Sequence, residues 1–287
     1  MNEEKKNIIA FLNMKGGVCK TTLCKEMALF LSEKENRSVL VIDIDPQANC
    51  TQSFFERFNV VKEENEIITD KLKLPSIQNI FSKSRDRLNR LVKDDFIYKL
   101  NDKLHLIPGD LDTVFMERET ASGTAEQKLF NIIDEFKLKE DYEYIFIDCP
   151  PTYSFYTVSA LLVANYYLVP VVPDIYSLLG LDLLERVVAD LKESHRVNFI
   201  NHTIGNLGVV LTKVPKTPNK GMINNIESIK RNFNTIYFFE NVFIKTDKLA
   251  TSKLATFIID REDEELIERL SNICKEFERR VGIEDGR

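Results

Sequence analysis

The sequence predicts an α/β fold in which a doubly wound, mostly parallel sheet is flanked by helices. Three observations lead to this prediction. Short apolar runs, typical of strands buried on both faces, recur along the chain. Segments with helical spacing of apolar residues separate these runs. A glycine-rich loop joins the first run to the first helical segment, and repeated strand–helix alternation of this kind builds a parallel sheet.

Each predicted element follows from its own stretch of sequence. The predicted strands, which are continuous apolar runs, are residues 8–12, 39–42, 104–107, 144–147, 167–172 and 207–211. The predicted helices lie directly after the glycine loop, in several short pieces within 52–100 (one opening at Pro75), and at about 125–138, 177–195 and 262–281. Because no linker, repeat or low-complexity tract interrupts the pattern, we expect one domain over residues 1–287 and no separate N-terminal helix-turn-helix domain.

The composition is that of an ordinary globular protein, with 44% hydrophobic and 29% charged residues in a chain of 287. No apolar run approaches the ~20 residues that span a bilayer, and the first residues lack the pattern of a signal peptide. The five cysteines show no metal-ligand spacing. We therefore expect a protein of the reducing cytoplasm.

The glycine-rich loop predicts phosphate binding. Backbone N–H groups at the start of a helix point toward an anion, and the helix dipole favours negative charge there. Lys20 is placed to reach terminal phosphates, and the Thr21 hydroxyl is placed to ligate magnesium. The loop reads Asn13-Met14-Lys15-Gly16-Gly17-Val18-Cys19-Lys20-Thr21-Thr22.

Acidic residues stand where two of the predicted strands end. Asp43 and Asp45 follow the second strand, and Asp148 follows the fourth. Ligands of doubly wound sheets bind at the carboxyl ends of the strands. A carboxylate there can hold magnesium through water or position an attacking water, so these residues and the phosphate loop together predict one functional site.

Several linked motifs carry a resemblance to a known family. The loop has a lysine ahead of its glycine pair, and it departs from the usual phosphate-loop spelling in having Met14 and Cys19 where glycines stand. Further matches are Asp-x-Asp-Pro-Gln-x-Asn at 43–49, Ile-Asp-x-Pro-Pro at 147–151, and the stretches at 104–118 and 170–181. Over about residues 6–281 the chain resembles the ParA-type partition ATPases of the ParA/MinD deviant Walker A group of P-loop NTPases.

The resemblance implies a role for each matching residue. Lys20 is implied to bind the β- and γ-phosphates, Asp45 to orient the attacking water, and Lys15 to reach the nucleotide of a partner subunit across a two-fold interface. The implied magnesium ligands are Thr21, Asp43 and the Walker B carboxylate Asp148. The implied nucleotide-binding residues are Lys15, Gly16, Gly17, Val18, Cys19, Lys20, Thr21 and Thr22, with Pro173, Thr212 and Lys213 beside the adenine.

The same resemblance implies a slow, magnesium-dependent ATPase that forms a homodimer with ATP. Placing one lysine on the partner chain makes charge neutralisation at the phosphoryl group depend on pairing. The ATP-bound dimer is expected to bind nonspecific DNA, and a ParB-like centromere-binding adaptor is expected to stimulate hydrolysis. The implied outcome is plasmid or chromosome segregation by a cytoplasmic, nucleoid-associated protein without a membrane partner.

The charge of the chain is unevenly distributed. The whole chain carries −6, but residues 213–253 contain eight basic and three acidic residues, a net +5. A surface of this sign binds a polyanion or is simply solvated. The family has an Ile-Pro-Arg-like, DNA-contacting sequence near 243–250, from which this chain departs. The residues implied to contact DNA are Lys245, Lys248 and Lys253.

Three interpretations of Cys19 remain open. This loop position tends to need a positive φ, which costs a residue with a β-carbon on the order of 1 kcal/mol. In the first interpretation, cysteine weakens or alters the ATPase activity. In the second, the loop tolerates cysteine through a small backbone shift. The third interpretation is a redox-sensitive thiol with a lowered pKa near a lysine and a helix start.

Two other functions also remain open. A MinD-like membrane-cycling ATPase needs a basic amphipathic C-terminal helix. Residues 254–287 instead contain ten acidic and six basic residues, and one helical stripe there is predicted to pack on its own domain. The stripe consists of Leu266, Leu270, Ile273 and Phe277.

The other alternative is a scaffold that positions a cargo and hydrolyses ATP only weakly. The presence of Cys19 in the phosphate loop keeps this alternative open.

Overall fold

A computed structural model of the chain describes residues 7–60, 74–81, 91–111, 123–200, 202–244 and 256–284. Its strands are β1 (Ile8–Phe11), β2 (Val39–Asp43), β3 (Tyr98–Lys99), β4 (Leu104–Ile107), β5 (Tyr144–Asp148), β6 (Tyr166–Val171), β7 (Gly205–Val214) and β8 (Phe243–Ile244). They form one eight-stranded sheet in the order β3-β4-β2-β5-β1-β6-β7-β8. The predicted fold class is confirmed.

Seven of the eight strands run parallel, and only β3 is antiparallel to its neighbour β4. β1 lies between β5 and β6, and β2 lies between β4 and β5. Because these strands point the same way, their carboxyl ends meet at one edge of the sheet. The loops that leave β1, β2, β5 and β6 are therefore neighbours, although they are far apart in sequence.

The helices fall on both faces of the sheet. In chain order they are α1 (Lys20–Glu33), α2 (Asn49–Arg57), α3 (Gln78–Phe81), α4 (Gly123–Glu126), α5 (Lys128–Glu135), α6 (Leu138–Asp141), α7 (Phe155–Val163), α8 (Ser177–Ser194), α9 (Lys220–Asn232) and α10 (Glu264–Glu284). Among these helices none is both long and apolar enough to cross a membrane.

Two hydrophobic cores follow from the alternation of side chains along the strands. On β1, Ile8 and Ala10 face the core shared with α7 and α8, whereas Ile9 and Phe11 face the core shared with α1 and α10. All four residues of β1 are fully buried. Such two-sided burial explains why the central strands are continuous apolar runs in the sequence.

The C-terminal helix α10 is part of the core. Its predicted stripe, Leu266, Leu270, Ile273 and Phe277, is buried to 4% exposure or less. The ring of Phe277 packs edge-on against that of Phe146 on β5, at 5.5 Å between centroids. The predicted packing of this helix on its own domain is thereby confirmed.

The structure corrects the predicted helices in three places. The helix predicted at 125–138 is instead the three short helices α4, α5 and α6, and the chain breaks before α6 at Lys137, whose φ is 52°. Helix α7 was not predicted, because its sequence is apolar nearly throughout and lacks a helical period. Helix α9 was not predicted either, although Met222, Ile226 and Ile229 recur in it at helical spacing; of these only Ile229 is fully buried.

The structure also corrects the strands. β3 and β8, each two residues long, were not predicted. The strand predicted at 207–211 is the longer β7, so Thr212 and Lys213 lie within the strand and not after it. Lys213 has a φ of 54° and lies where the pairing register between β7 and β8 shifts.

Helix α1 begins from a left-handed residue. Its N-cap, Cys19, has φ 68° and ψ 30°, and no side chain of the described residues caps the first turn. Gly17, two residues earlier, has φ 73°. The predicted positive φ at position 19 is confirmed, and a left-handed conformation costs a residue with a β-carbon roughly 1–2 kcal/mol.

This geometry predicts that glycine is preferred over alanine at position 19. We expect Cys19→Gly to be more stable than Cys19→Ala by about 0.5–1 kcal/mol, because only the β-carbon is strained and glycine's larger loss of chain entropy offsets part of the gain. Both variants lose the thiol, so their difference in urea unfolding isolates the backbone effect. Equal stability, or a more stable alanine variant, would contradict a strained position.

Candidate functional site

The loop after β1 is shaped to receive an anion. The left-handed Gly17 and Cys19 turn the chain so that the uncapped N-terminus of α1 faces the loop. Lys20, the first residue of the helix, is 7% exposed. Its Nζ donates a hydrogen bond of 3.3 Å to the carbonyl oxygen of Lys15. The ammonium group is thus held inside the loop, where it can neutralise a bound phosphate.

Two side chains from outside the glycine motif hold the loop in place. The Asn13 Nδ2 donates to the carbonyl oxygen of Pro170 on β6 over 2.8 Å, and its Oδ1 accepts from the backbone N–H of Lys15 over 2.9 Å. The second side chain is that of Thr212 on β7, whose hydroxyl donates to the Val18 carbonyl oxygen over 3.0 Å. The loop is therefore fixed to the two strands β6 and β7 on one side of β1.

Asp43 and Asp148 are register partners at the ends of β2 and β5. Both are fully buried. Asp43 accepts hydrogen bonds from the backbone N–H and the hydroxyl of Thr51 on α2, at 2.8 and 2.7 Å. Gly109 allows this approach, because a β-carbon there would lie 3.0 Å from the Asp43 carboxyl carbon. Burial raises the pKa of Asp43 to about 7, although the Thr51 bonds lower it.

Asp148 is the least compensated acid of the site. Within the described residues neither of its carboxylate oxygens has a hydrogen-bond partner of normal geometry. Burial, followed by the charge of Asp43, raises its pKa well above the usual range, while the Thr21 hydroxyl lowers it. Two buried carboxylates and a hydroxyl are the oxygen donors that Mg²⁺ prefers, so the residues present fit a divalent cation.

Asp45 and Lys20 complete the charge arrangement. Asp45 is 8% exposed, and its Oδ1 accepts from the backbone N–H of Gln47 over 2.9 Å. Burial lowers the pKa of Lys20, whereas the charges of Asp148 and Asp45 raise it. Cation, acids and loop N–H groups therefore share one small region, which can bind a polyanion together with a metal ion.

Lys15 makes an ion pair within its own chain. Its Nζ contacts Oδ2 of Asp174, in the loop between β6 and α8. The same ammonium lies 5.9 Å from the centre of the Tyr176 ring. Neither side of the ion pair is deeply buried, with 33% and 38% of the side chains exposed. The implied reach of Lys15 to the nucleotide of a partner subunit stays a prediction.

The three residues implied to lie beside the adenine occupy adjacent strand ends. Pro173 is buried in the loop after β6, and its carbonyl oxygen accepts from Asn225 Nδ2 of α9 over 3.3 Å. Thr212 is buried against the phosphate loop. Lys213 is exposed, and its charge acts on the Cys19 thiol. Their role in binding adenine stays a prediction.

The thiol of Cys19 does not have the expected character of a redox sensor. Burial raises its pKa, while the charge of Lys213 and a hydrogen bond with Thr212 lower it only in part. A thiol with a raised pKa carries little of the reactive thiolate at neutral pH. The interpretation as a lowered-pKa thiol is therefore wrong for this loop.

The residues implied to contact DNA, Lys245, Lys248 and Lys253, lie outside the described residues. The other five basic residues of the 213–253 stretch are described, and all are exposed. One of them pairs with an acid, since Lys216 contacts Glu265 of α10. The exposed five are Lys213, Lys216, Lys220, Lys230 and Arg231.

Sequence reasoning missed three residues of the site. Asn13, the first residue of the loop, holds the loop in place, and Thr51 holds Asp43; no role was predicted for either side chain. Asp174 pairs with Lys15. It could have been found by the same rule as the other acids, because it follows the end of a predicted strand.

The chain is similar to known proteins over most of its length. The model of the AAA domain family AAA_31 matches residues 6–201. The sporulation initiation inhibitor protein Soj of Bacillus subtilis is 30% identical over 228 residues, which make up 79% of this chain and 79% of Soj.

Two solved structures share the fold. An ATP complex of McdA from Cyanothece superposes with a TM-score of 0.72 at 19% identity, over 95% of this chain and 96% of McdA. A putative plasmid partition protein of Borrelia burgdorferi, bound to AMPPNP, gives a TM-score of 0.68 at 23% identity, over 96% and 99% of the two chains. Together with the loop geometry and the family match, the sequence relationship to Soj shows that the chain belongs to the ParA family of P-loop ATPases.

Proposed function

We propose that this chain is an ATP-hydrolysing switch that pairs with a second copy when ATP is bound, binds nonspecific DNA as a dimer and serves DNA segregation. The observation that carries the proposal is the convergence of Lys20, Asp43, Asp45 and Asp148 on an uncapped helix start at one sheet edge. Such a site neutralises phosphate charge and orients water, which is most of what phosphoryl transfer requires.

In this proposal the chain's own residues divide the work. Lys20 and the loop N–H groups, including that of Thr22, hold the phosphates, and Asp45 orients the attacking water. Lys15 supplies a further positive charge to the partner's nucleotide, so the transition state is fully stabilised only in the pair. Hydrolysis is expected to be slow, because each chain alone lacks that charge.

Magnesium fits the pair of buried acids. Thr21, Asp43 and Asp148 are the residues that would hold it, and a bound Mg²⁺ would neutralise charge on the phosphates. The support is the buried Asp148 carboxylate, which lacks a hydrogen-bond partner of normal geometry among the described residues. A cation there would compensate a charge that the protein itself leaves largely uncompensated.

Pairing of two copies finds support on the surface next to Lys15. Ile175, Tyr176 and Leu179 are 74%, 65% and 68% exposed around the Asp174 loop. Large apolar side chains grouped on a surface are typical of a protein interface. A second copy placed there would cover them while bringing its own loop toward the nucleotide.

DNA binding and an adaptor of the ParB kind complete the proposal. The exposed basic residues of the 213–231 region, with Lys245, Lys248 and Lys253, supply positive charge for a phosphate backbone. The membrane-cycling alternative is less favoured, because the apolar stripe of α10 is already buried in the core. The scaffold alternative would position another cargo with little ATP turnover. An ATPase assay with and without DNA and adaptor separates it from the proposal.

Pairing is tested by sedimentation velocity with ADP, ATP and a nonhydrolysable ATP analogue. We expect monomers with ADP and dimers with ATP or the analogue. Lys15→Ala should bind ATP with unchanged affinity but stay monomeric, whereas Lys20→Ala should lose ATP affinity by at least about tenfold, because a buried charge interaction with phosphate is removed. Lys34→Ala, an exposed lysine at the other end of α1, is the matched control. Monomers under every condition, or normal pairing of Lys15→Ala, would refute the proposal.

DNA contact is tested with the triple variant Lys245→Gln, Lys248→Gln, Lys253→Gln. We expect the ATP-bound dimer to bind duplex DNA without sequence preference and to weaken steeply as salt rises. The triple variant should lower the slope of log affinity against log salt by roughly one for each phosphate that its lysines no longer neutralise.

A control triple variant makes the same charge change elsewhere, at the exposed Lys34, Lys99 and Lys192. It should retain most of the affinity and salt slope of the unaltered chain. Equally weakened binding by the two triple variants would show that net charge, and not this segment, governs DNA binding.

Magnesium binding should strengthen with pH. Burial raises the pKa of Asp43 to about 7 and that of Asp148 well above its usual range, so the pair retains protons near neutral pH. A metal binds the deprotonated carboxylates, and its affinity should rise up to about tenfold per pH unit for each proton released. Calorimetry of Mg²⁺ with ADP between about pH 6 and 8 measures this, since that window brackets the raised pKa of Asp43.

The same calorimetry is run on Asp148→Asn and on the unaltered protein. Because ADP itself titrates in the same way in both experiments, a difference between the two pH profiles reports on the buried acids. The variant should bind Mg²⁺ more weakly and with a flatter pH dependence. Parallel pH profiles of the two chains would contradict a role for the buried acids in metal binding.

A further inference from the structure

We infer that Asp174 acts as an intramolecular latch, which holds the Lys15 ammonium in the unpaired chain and must release it before two copies pair around ATP. This inference rests on the proposed function and adds to it a residue that restrains pairing of the two copies. Asp174 is here a positioning residue, because it acts on Lys15 and not on the nucleotide.

The interaction joins two loops that the sheet order brings together. Lys15 follows β1 and Asp174 follows β6, and these strands are neighbours. The backbone of Lys15 is fixed on the same side, because its N–H donates to Asn13, whose amide in turn donates to Pro170. With its main chain fixed, the flexible lysine side chain can swing between Asp174 and another anion.

Asp174 is held ready to receive the ammonium. Its Oδ1 accepts from the backbone N–H of Tyr176 over 3.0 Å and from the Ser177 hydroxyl over 3.0 Å, which leaves Oδ2 facing Lys15. Burial alone would raise the pKa of Asp174, but the hydrogen bonds from Lys15, Ser177 and Tyr176 together lower it. The carboxylate is therefore ionised at neutral pH and attracts a cation.

The two positions of Lys15 exclude each other. One ammonium cannot stay against Asp174 in its own chain and also reach the phosphates of a partner's nucleotide. Asp174 of each copy therefore competes with pairing. The ion pair is partly exposed. Exposed pairs of this kind shift an equilibrium by roughly two- to fivefold, and since both chains must open, the dimerisation constant should change by roughly 4- to 25-fold.

The experiment compares the unaltered chain, Asp174→Asn and the control Asp182→Asn. Asp182 pairs with Arg186 one turn along the exposed face of α8, so the control removes the same charge and an ion pair a short distance along the chain. Sedimentation velocity is run while the nonhydrolysable ATP analogue is titrated, at about 50 mM and about 500 mM salt, which differ widely in screening. The exposed amines of nucleotide-free protein are also acetylated, and the rate at Lys15 is read by peptide mass spectrometry.

We expect Asp174→Asn to pair at a lower analogue concentration than the other two chains and to acetylate faster at Lys15. This advantage should shrink at high salt, because salt weakens the exposed ion pair of the unaltered chain. A role in folding alone would not depend on salt in this way.

Two results would overturn the latch. One is pairing of Asp174→Asn at the same or a higher analogue concentration than the unaltered chain. The other is an unchanged acetylation rate at Lys15 while the unaltered chain pairs normally. Faster acetylation of Asp174→Asn with no pairing of any chain would instead refute the proposed function and leave the Lys15–Asp174 ion pair established.

Discussion

The site is organised around two carboxylates buried side by side. Parallel pairing of β2 with β5 makes Asp43 and Asp148 register partners, and the sheet gives neither access to solvent. A buried charge without a partner costs several kcal/mol, which the raised pKa values of both acids reflect. Lys20 offsets part of this charge. A bound metal ion would offset the rest, so metal binding and stability of this fold are coupled.

Both cations of the loop contact groups of their own chain. Lys20 donates to the carbonyl oxygen of Lys15, and the Lys15 side chain pairs with Asp174. Lys20 can keep its bond while it meets phosphate, because an ammonium group has three N–H donors. Lys15, in contrast, has to leave Asp174 to reach a partner's nucleotide in the proposed dimer. Release of Lys15 from Asp174 therefore opposes pairing in the proposed dimer, whereas Lys20 already lies inside the loop.

The sequence predicted those parts of the fold in which local pattern and burial agree. Central strands buried on both faces are continuous apolar runs, and α8 and α10 show clear helical periods, so these elements were found. α7 is buried on nearly all sides, so it shows no clear period. α9 was overlooked although Met222, Ile226 and Ile229 recur at helical spacing and pack on the core. Of the site, the motif acids and loop were predictable. The Lys15–Asp174 pair was not, since it joins residues 159 apart through the β1–β6 pairing.

Cys19 changes the chemistry of the loop less than its sequence suggests. The left-handed turn that glycine normally provides is present with cysteine in place, so the direction of the N–H groups at the start of α1 does not depend on glycine. The thiol is packed beside Thr212, and its raised pKa removes the character of a redox sensor. What remains is a backbone strain located at the loop itself. If the turn keeps this conformation when nucleotide binds, the strain raises the energy of the free and the bound chain equally. Nucleotide affinity is then unaffected, because it depends only on the difference between the two.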